Sequence, residues 1–274
     1  MSGPLKVPLL IFTGFIIAQV LNRTNLVSQI TFFLRASKTA LSPGDDREKR
    51  LLDHVVSTTP AGDAFAVVQA IDDYAWSKEW FMNVGDQKGK ILDEAVHNAS
   101  KSTPGPLSVL ELGTYCAYSA IRTIAHAPKG THLYTLEVVE KTADIAERMI
   151  AHAGLQQQIT VLRGPLEDLI HQDPLRSLPP FDVVFIDHNK RYYVSDLKLL
   201  MKAGKLREGS VVVGDNLLIP GVPEYIEYMN SPEGKEAFDT AFHDAKLEYT
   251  WAPTSWGFAD QVGVSVFKGP TSMS

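Results

Sequence analysis

Two apolar runs in this chain end in acid. "FDVVFID" stops at Asp187, and "VVVGDN" stops at Asp215 with Asn216 directly behind it. Two carboxylates and an amide oxygen are hard donors, and no sulfur or clear histidine ligand accompanies them. Gathered on one rim, such a set suits Mg²⁺, which keeps coordination positions open for water or substrate. Two carboxylates in one cleft repel unless one stays protonated or a cation stands between them. Lys190 follows Asp187 by three residues. A lysine partly desolvated beside a metal has its ammonium form disfavoured and suits a general base, while a hydroxyl held by the metal is acidified. Taken singly, each acid is more commonly a loop cap and the lysine a solvated charge. Arg191 reads as structural; His188 reads as structural or as part of a cofactor wall.

A second constellation is "ELGTYCAYS", Glu111 to Ser119, followed by Glu137 at the end of "THLYTLE". The turn has Gly113 but no G-x-G-x-x-G, and position 117 is Ala. The close approach to a pyrophosphate that such glycines permit is therefore not provided. A one-glycine turn suits a cofactor without phosphates. Glu137 lies 24 residues after Gly113, where an acid accepts hydrogen bonds from ribose hydroxyls. A nucleoside without phosphate points to S-adenosylmethionine. The plain alternative is that Glu137 caps the next helix.

The elements that must position these groups alternate. Strand patterns at "SVLELG", "THLYTLE", "QITVLRG", "FDVVFID" and "GSVVVGDN" are separated by helical patterns such as "KTADIAERMIAHAG" and "YYVSDLKLLMKAG". That order predicts an α/β fold, a doubly wound, mostly parallel sheet. "AKLEYTW" and "QVGVSVFKG" have no helix between them and are expected to close an antiparallel C-terminal hairpin. Three helical patterns precede the first strand, from "DREKRLLDHVVSTT" to "DQKGKILDEAVHNAS". In such sheets ligands bind beyond the carboxyl ends of the strands, where Asp187 and Asp215 fall.

The remaining features bound the partners. The chain has 274 residues, a formal charge of -6 and one cysteine, Cys116. No basic field favours nucleic acid, no intrachain disulfide can form, and no Cys/His spacing suggests zinc. Residues 1–45 read as a leader ending in "LSPGDD", and residues 46–274 as the catalytic domain. Residues 7–21 are uncharged but short of the about 20 apolar residues that span a bilayer. They read as a membrane anchor or as a surface-lying or packed helix. The expected setting is a cytoplasmic, monomeric domain with optional anchoring.

"MNVGDQKGKILD", "LELGTYCAYSA", "TLE", "FIDHNKRYY" and "GDNLLIPGVPEY", in this order and closed by "FKGP", together resemble the catechol O-methyltransferases, from about Arg47 to Pro270. The resemblance implies a seven-stranded methyltransferase sheet and transfer of a methyl group from S-adenosylmethionine to one hydroxyl of a Mg²⁺-chelated catechol. It implies Asp187, Asp215 and Asn216 as metal ligands, Lys190 as base, and Glu248 in "KLEY" on the second hydroxyl. Around the cofactor it implies Val84, Glu111, Gly113, Tyr115, Ser119 and Glu137, with Glu167 near the adenine in place of an amide, and Asp187 and His188 beside it. Trp80, Met82, Pro220 and Leu247 are the implied substrate walls, with Lys190, Asn216 and Glu248 also on the substrate. The sequence departs from the family at Ala117, usually Gly, and at Asn189, usually Trp. Trp251 and Trp256 are candidates to replace that wall. The alternatives are a metal-dependent O-methyltransferase of larger phenylpropanoid-type diphenols, or a non-catalytic membrane-associated scaffold with the same fold.

Overall fold

The computed structural model describes residues 46–250, 254 and 258–269. The leader, Trp251 and Trp256 lie outside the described residues. Among the described residues three helices come first: α1 (Arg47–Thr58), α2 (Ala64–Ser77) and α3 (Gly85–Ser102). α2 starts where Asp63 accepts from the Ala66 amide at 2.9 Å, an N-cap that satisfies one of the orphan donors of a first turn. α3 buries Gly85, Lys88, Gly89, Leu92, Ala95, Val96 and Ala99, one stripe at helical spacing.

The alternating section follows as β1 (Ser108–Leu112), α4 (Tyr118–His126), β2 (His132–Glu137), α5 (Glu140–His152), β3 (Ile159–Arg163), α6 (Leu166–Leu169), β4 (Phe181–Ile186), α7 (Tyr193–Lys202) and β5 (Leu206–Gly214). Then come α8 (Pro223–Asn230), α9 (Pro232–Ala237), β6 (Phe238–Lys246) and β7 (Ala259–Phe267). The seven strands lie in the order β3-β2-β1-β4-β5-β7-β6. β1 to β5 are parallel, and β7 runs antiparallel to both β5 and β6. This is the expected doubly wound sheet. β4 is buried at every position, as a strand covered on both faces must be. Its residues alternate between two cores: Val183 and Phe185 pack with α1–α5, Val184 and Ile186 with α7 and α8.

One detail differs from the sequence reading. β6 occupies residues 238–246, not "AKLEYTW", so Glu248 stands beyond the strand end. As the outermost strand β6 is half exposed, and its apolar periodicity is correspondingly faint. β6 and β7 pair antiparallel at one edge of the sheet, as expected, with β7 the inner strand of the two. No helix among the described residues is long and apolar enough to cross a membrane.

Candidate active site

Register brings the acids together. Leu112 pairs with Ile186 and Ile186 with Gly214, so β1, β4 and β5 end side by side. The Asp187 amide donates to Leu112 O at 2.9 Å and the Asp215 amide to Ile186 O at 3.1 Å. Gly113 has φ +103, and a Cβ there would lie 2.5 Å from the Asp187 carbonyl oxygen. Only glycine lets the β1–α4 turn approach the β4 end this closely. Asn216 takes a left-handed conformation at φ 56, which Asn tolerates better than most residues.

Lys190 lies in the turn after β4. Its ammonium donates to Asp187 Oδ1 at 2.9 Å, to Tyr193 Oη at 2.6 Å and to Asn216 Oδ1 at 3.1 Å. The Tyr193 hydroxyl in turn donates to the Asp215 carbonyl at 3.1 Å. Asn189, where an aromatic wall was expected from the family, is exposed and accepts from the Arg191 amide at 3.2 Å. It caps the single 3₁₀ turn, Lys190–Tyr192, that presents Lys190.

Beneath this lies a group that the sequence reading missed. Lys88 of α3 is fully buried, with its ammonium 2.9 Å from Asp215 Oδ1, 2.8 Å from Glu248 Oε2 and 2.8 Å from Asp260 Oδ2. Burial alone would lower the Lys88 pKa, but the three carboxylates outweigh it and hold the group well above the usual lysine value. Burial pushes the Asp215 and Glu248 carboxyls up, and Lys88 opposes the rise at both. Asp260 is buried too, yet Lys88 and the Gln261 and Leu218 amides hold its carboxyl below the usual range. The signal for Lys88 was present in the sequence: a lysine on the apolar stripe of α3.

Four carboxylates, of Asp187, Asp215, Glu248 and Asp260, face two ammonium groups, of Lys88 and Lys190. The formal excess is two negative charges, which one divalent cation would neutralise. Asp215 Oδ1 and Oδ2 are buried without a hydrogen-bond donor, the Lys88 ammonium being close to Oδ1 but not aligned as one. Asn216 turns its amide oxygen toward Lys190 and its nitrogen toward Asp260 at 3.0 Å. Among the described residues no cluster of three or more His, Cys, Asp or Glu side chains is arranged for a metal. The Asp187, Asp215 and Asn216 set needs only two such residues, its third donor being an amide oxygen.

Glu248 is buried and its loop is clamped. Trp80 Nε1 donates to the Glu248 carbonyl at 3.1 Å. Tyr249 is held at φ 50, uncommon for a bulky residue, with its hydroxyl donating to Asp72 at 2.8 Å. A Cβ on Gly85 would lie 2.9 Å from the Glu248 Cβ. Of the other proposed walls, Leu247 is half-buried, while Pro220 and Met82 are exposed, Met82 at 57%.

The cofactor candidates line the ends of β1 and β2. Glu137 accepts from the Tyr115 amide at 2.9 Å and from the Val139 amide at 3.0 Å. It thus ties the two loops together and also fills part of the capping alternative. Glu111 is buried, with Thr135 and Ser119 donating to it. Burial raises its pKa to about 8, those hydrogen bonds opposing the rise. Val84 is buried at the start of α3, and Ala117 holds the left-handed conformation at φ 64 just before α4. Glu167 is exposed on α6. His188 Nε2 pairs with Asp196 at 3.0 Å, which leaves Nδ1 buried and without a partner.

The sequence and the fold are similar to those of known proteins. Residues 73–231 match the family described as O-methyltransferase. The mouse catechol O-methyltransferase is 37% identical over 230 residues, covering 84% of this chain and 82% of that protein. The mouse transmembrane O-methyltransferase homolog is 31% identical over 244 residues, 88% of each chain. The O-methyltransferase from Bacillus cereus, solved in complex with SAH, has a similar fold with a TM-score of 0.53 at 23% identity, covering 88% of this chain and 97% of that one.

Proposed function

The chain belongs to the catechol O-methyltransferase family of O-methyltransferases, and on that premise we propose that it methylates one hydroxyl of a Mg²⁺-chelated catechol, with S-adenosylmethionine as donor. The observation that carries the reading is Lys190, fixed between Asp187 and Asn216 at the rim of an oxygen-rich cluster with two excess negative charges. Asp187, Asp215 and Asn216 would hold the cation, whose contribution is to acidify a chelated hydroxyl and offset the charge left when its proton departs. S-adenosylmethionine would supply an electrophilic sulfonium methyl, its S–CH3 bond breaking as the O–CH3 bond forms and S-adenosylhomocysteine leaving as the neutral sulfide. Lys190, having first released its ammonium proton to solvent, would as the neutral amine take the proton from the reacting hydroxyl. Glu248 accepts a hydrogen bond from its neighbour and fixes which oxygen points at the methyl. Holding both reactants in line supplies much of the remaining acceleration. His188 Nδ1, buried and unpartnered, offers an acceptor to the nucleoside.

A specific feature favours the second reading, larger phenylpropanoid-type diphenols. Asn189 is exposed and engaged in its own turn, and Tyr192, Met82 and Leu218 are exposed at 50%, 57% and 45%. The test of both is methyl transfer from labelled S-adenosylmethionine to catechol, caffeate and a bulky thioester, with and without chelator, reading product regiochemistry. Chelator-sensitive methylation of at least one ortho-diphenol is expected. Transfer that chelator leaves unchanged overturns the metal-assisted reading.

Binding of the cationic cofactor is also expected to release a proton from Glu111. Its carboxyl, pushed by burial up to about 8, is largely protonated at pH 7, and a nearby positive charge favours the ionised form. Titration of S-adenosylmethionine in buffers of different ionisation enthalpy should register nearly one proton released at pH 7, and none for Glu111→Gln. Equal heats for the wild type in all buffers would remove Glu111 as the responding group.

A further inference from the structure

We infer that Lys88 and Asp260 form an internal ion pair that positions three groups of the candidate site at once: Asp215, Asn216 and Glu248. The inference rests on the metal-assisted reading above and deepens it.

The contacts divide atom by atom. On Glu248, the Lys88 ammonium at 2.8 Å and the Asn216 amide nitrogen at 3.5 Å both meet Oε2, so Oε1 is the oxygen not committed to them. On Asp215 the ammonium takes Oδ1, which directs Oδ2 toward whatever occupies the rim. Asp260 Oδ2 receives both Lys88 at 2.8 Å and the Asn216 amide nitrogen at 3.0 Å. An Asn side chain has one oxygen face and one nitrogen face. By accepting from the nitrogen, Asp260 settles the orientation of Asn216 and turns its oxygen toward Asp187 and Lys190. Asp260 Oδ1 is meanwhile fixed by the Leu218, Ile219 and Gln261 amides at 3.1, 3.2 and 2.8 Å. The pair is thus anchored in backbone on one side and presents oriented oxygen donors on the other, the arrangement expected of groups that support metal ligands without touching the metal.

Asp260→Asn keeps the shape but places an amide where Asn216 and Lys88 both donate. Asn216 is then expected to rotate and lose its oxygen from the rim. The test is Mn²⁺ binding, by electron paramagnetic resonance, to wild type, Asp260→Asn, Lys88→Met and the double variant. Binding of S-adenosylhomocysteine by calorimetry is measured in parallel. The Mn²⁺ dissociation constant is expected to rise about 10- to 100-fold, as on loss of an outer-shell partner, while that for S-adenosylhomocysteine stays within about twofold. With a catechol substrate, the ratio of the two methylated products should also shift as Glu248 loses its fixed orientation. The double variant removes one charge of each sign, so it keeps the charge balance and serves if either single variant fails to fold. A folded variant that binds Mn²⁺ as the wild type does overturns the positioning role and leaves the metal reading intact. A wild type that binds no Mn²⁺ overturns both.

Discussion

Replacing Lys190 with alanine is expected to lower kcat by about two to four orders of magnitude, the range for removing a positioned general base, or about 3–5 kcal/mol of transition-state stabilisation. The dissociation constant for S-adenosylhomocysteine should hardly change, because Glu111, Glu137 and His188 hydrogen-bond elsewhere, and of the cofactor candidates Lys190 meets Asp187 alone. The side chain is only part-buried and lies at the surface of the cluster, so the variant should fold. Three contacts with Asp187, Tyr193 and Asn216 hold the side-chain nitrogen in place, and this geometry suits the neutral amine, once the ammonium has given up a proton to solvent, to receive one from one hydroxyl of two. Single-turnover rates check the expectation without interference from product release. Near-normal turnover would mean that the proton leaves by another route.

The second large effect concerns Asp215. Asp215→Asn keeps the volume and removes the charge of a fully buried carboxylate whose oxygens have no hydrogen-bond donor. In the wild type, Mg²⁺ at 100 times its dissociation constant should stabilise the fold by about 2.7 kcal/mol. In the variant that stabilisation should disappear together with activity. Burial raises the Asp215 pKa above the carboxylate norm. A raised carboxyl contributes less stability as pH climbs past the unfolded value, since the native state holds the proton more tightly. The metal-free variant should therefore lose that decline with pH. Thermal melts across pH 4 to 8, with and without Mg²⁺, read both effects. A variant that Mg²⁺ still stabilises fully would remove Asp215 from the ligand set.

Much of the site was legible because it lies at strand ends. Asp187 and Asp215 terminate apolar runs, and parallel register forces the ends of β4 and β5 together. Glu248 was not legible from pattern: it follows an edge strand with weak periodicity, and only the family resemblance nominated it. Lys88 was written on the apolar stripe of α3 but passes for a helix-surface lysine unless burial is known. Asp260 gave no signal, since its partner Lys88 is 172 residues away. Asn189 shows a different limit. The sequence marks the missing ring, while the structure shows what the substitute does, which is to cap the turn carrying Lys190.

The strand order has a consequence for how this protein comes into being. Among the described strands β6 pairs with β7 alone, and β7 is made after it. On the ribosome, β6 must therefore wait, unpaired, until the last strand emerges and slots in against β5. Lys88, made early, waits with it, because Asp260 opens that same strand. A nascent chain halted before Ala259 would already carry both rim aspartates yet lack the anchor of its buried lysine. Competence to bind and turn over would then arrive in one late step, as the final strand docks.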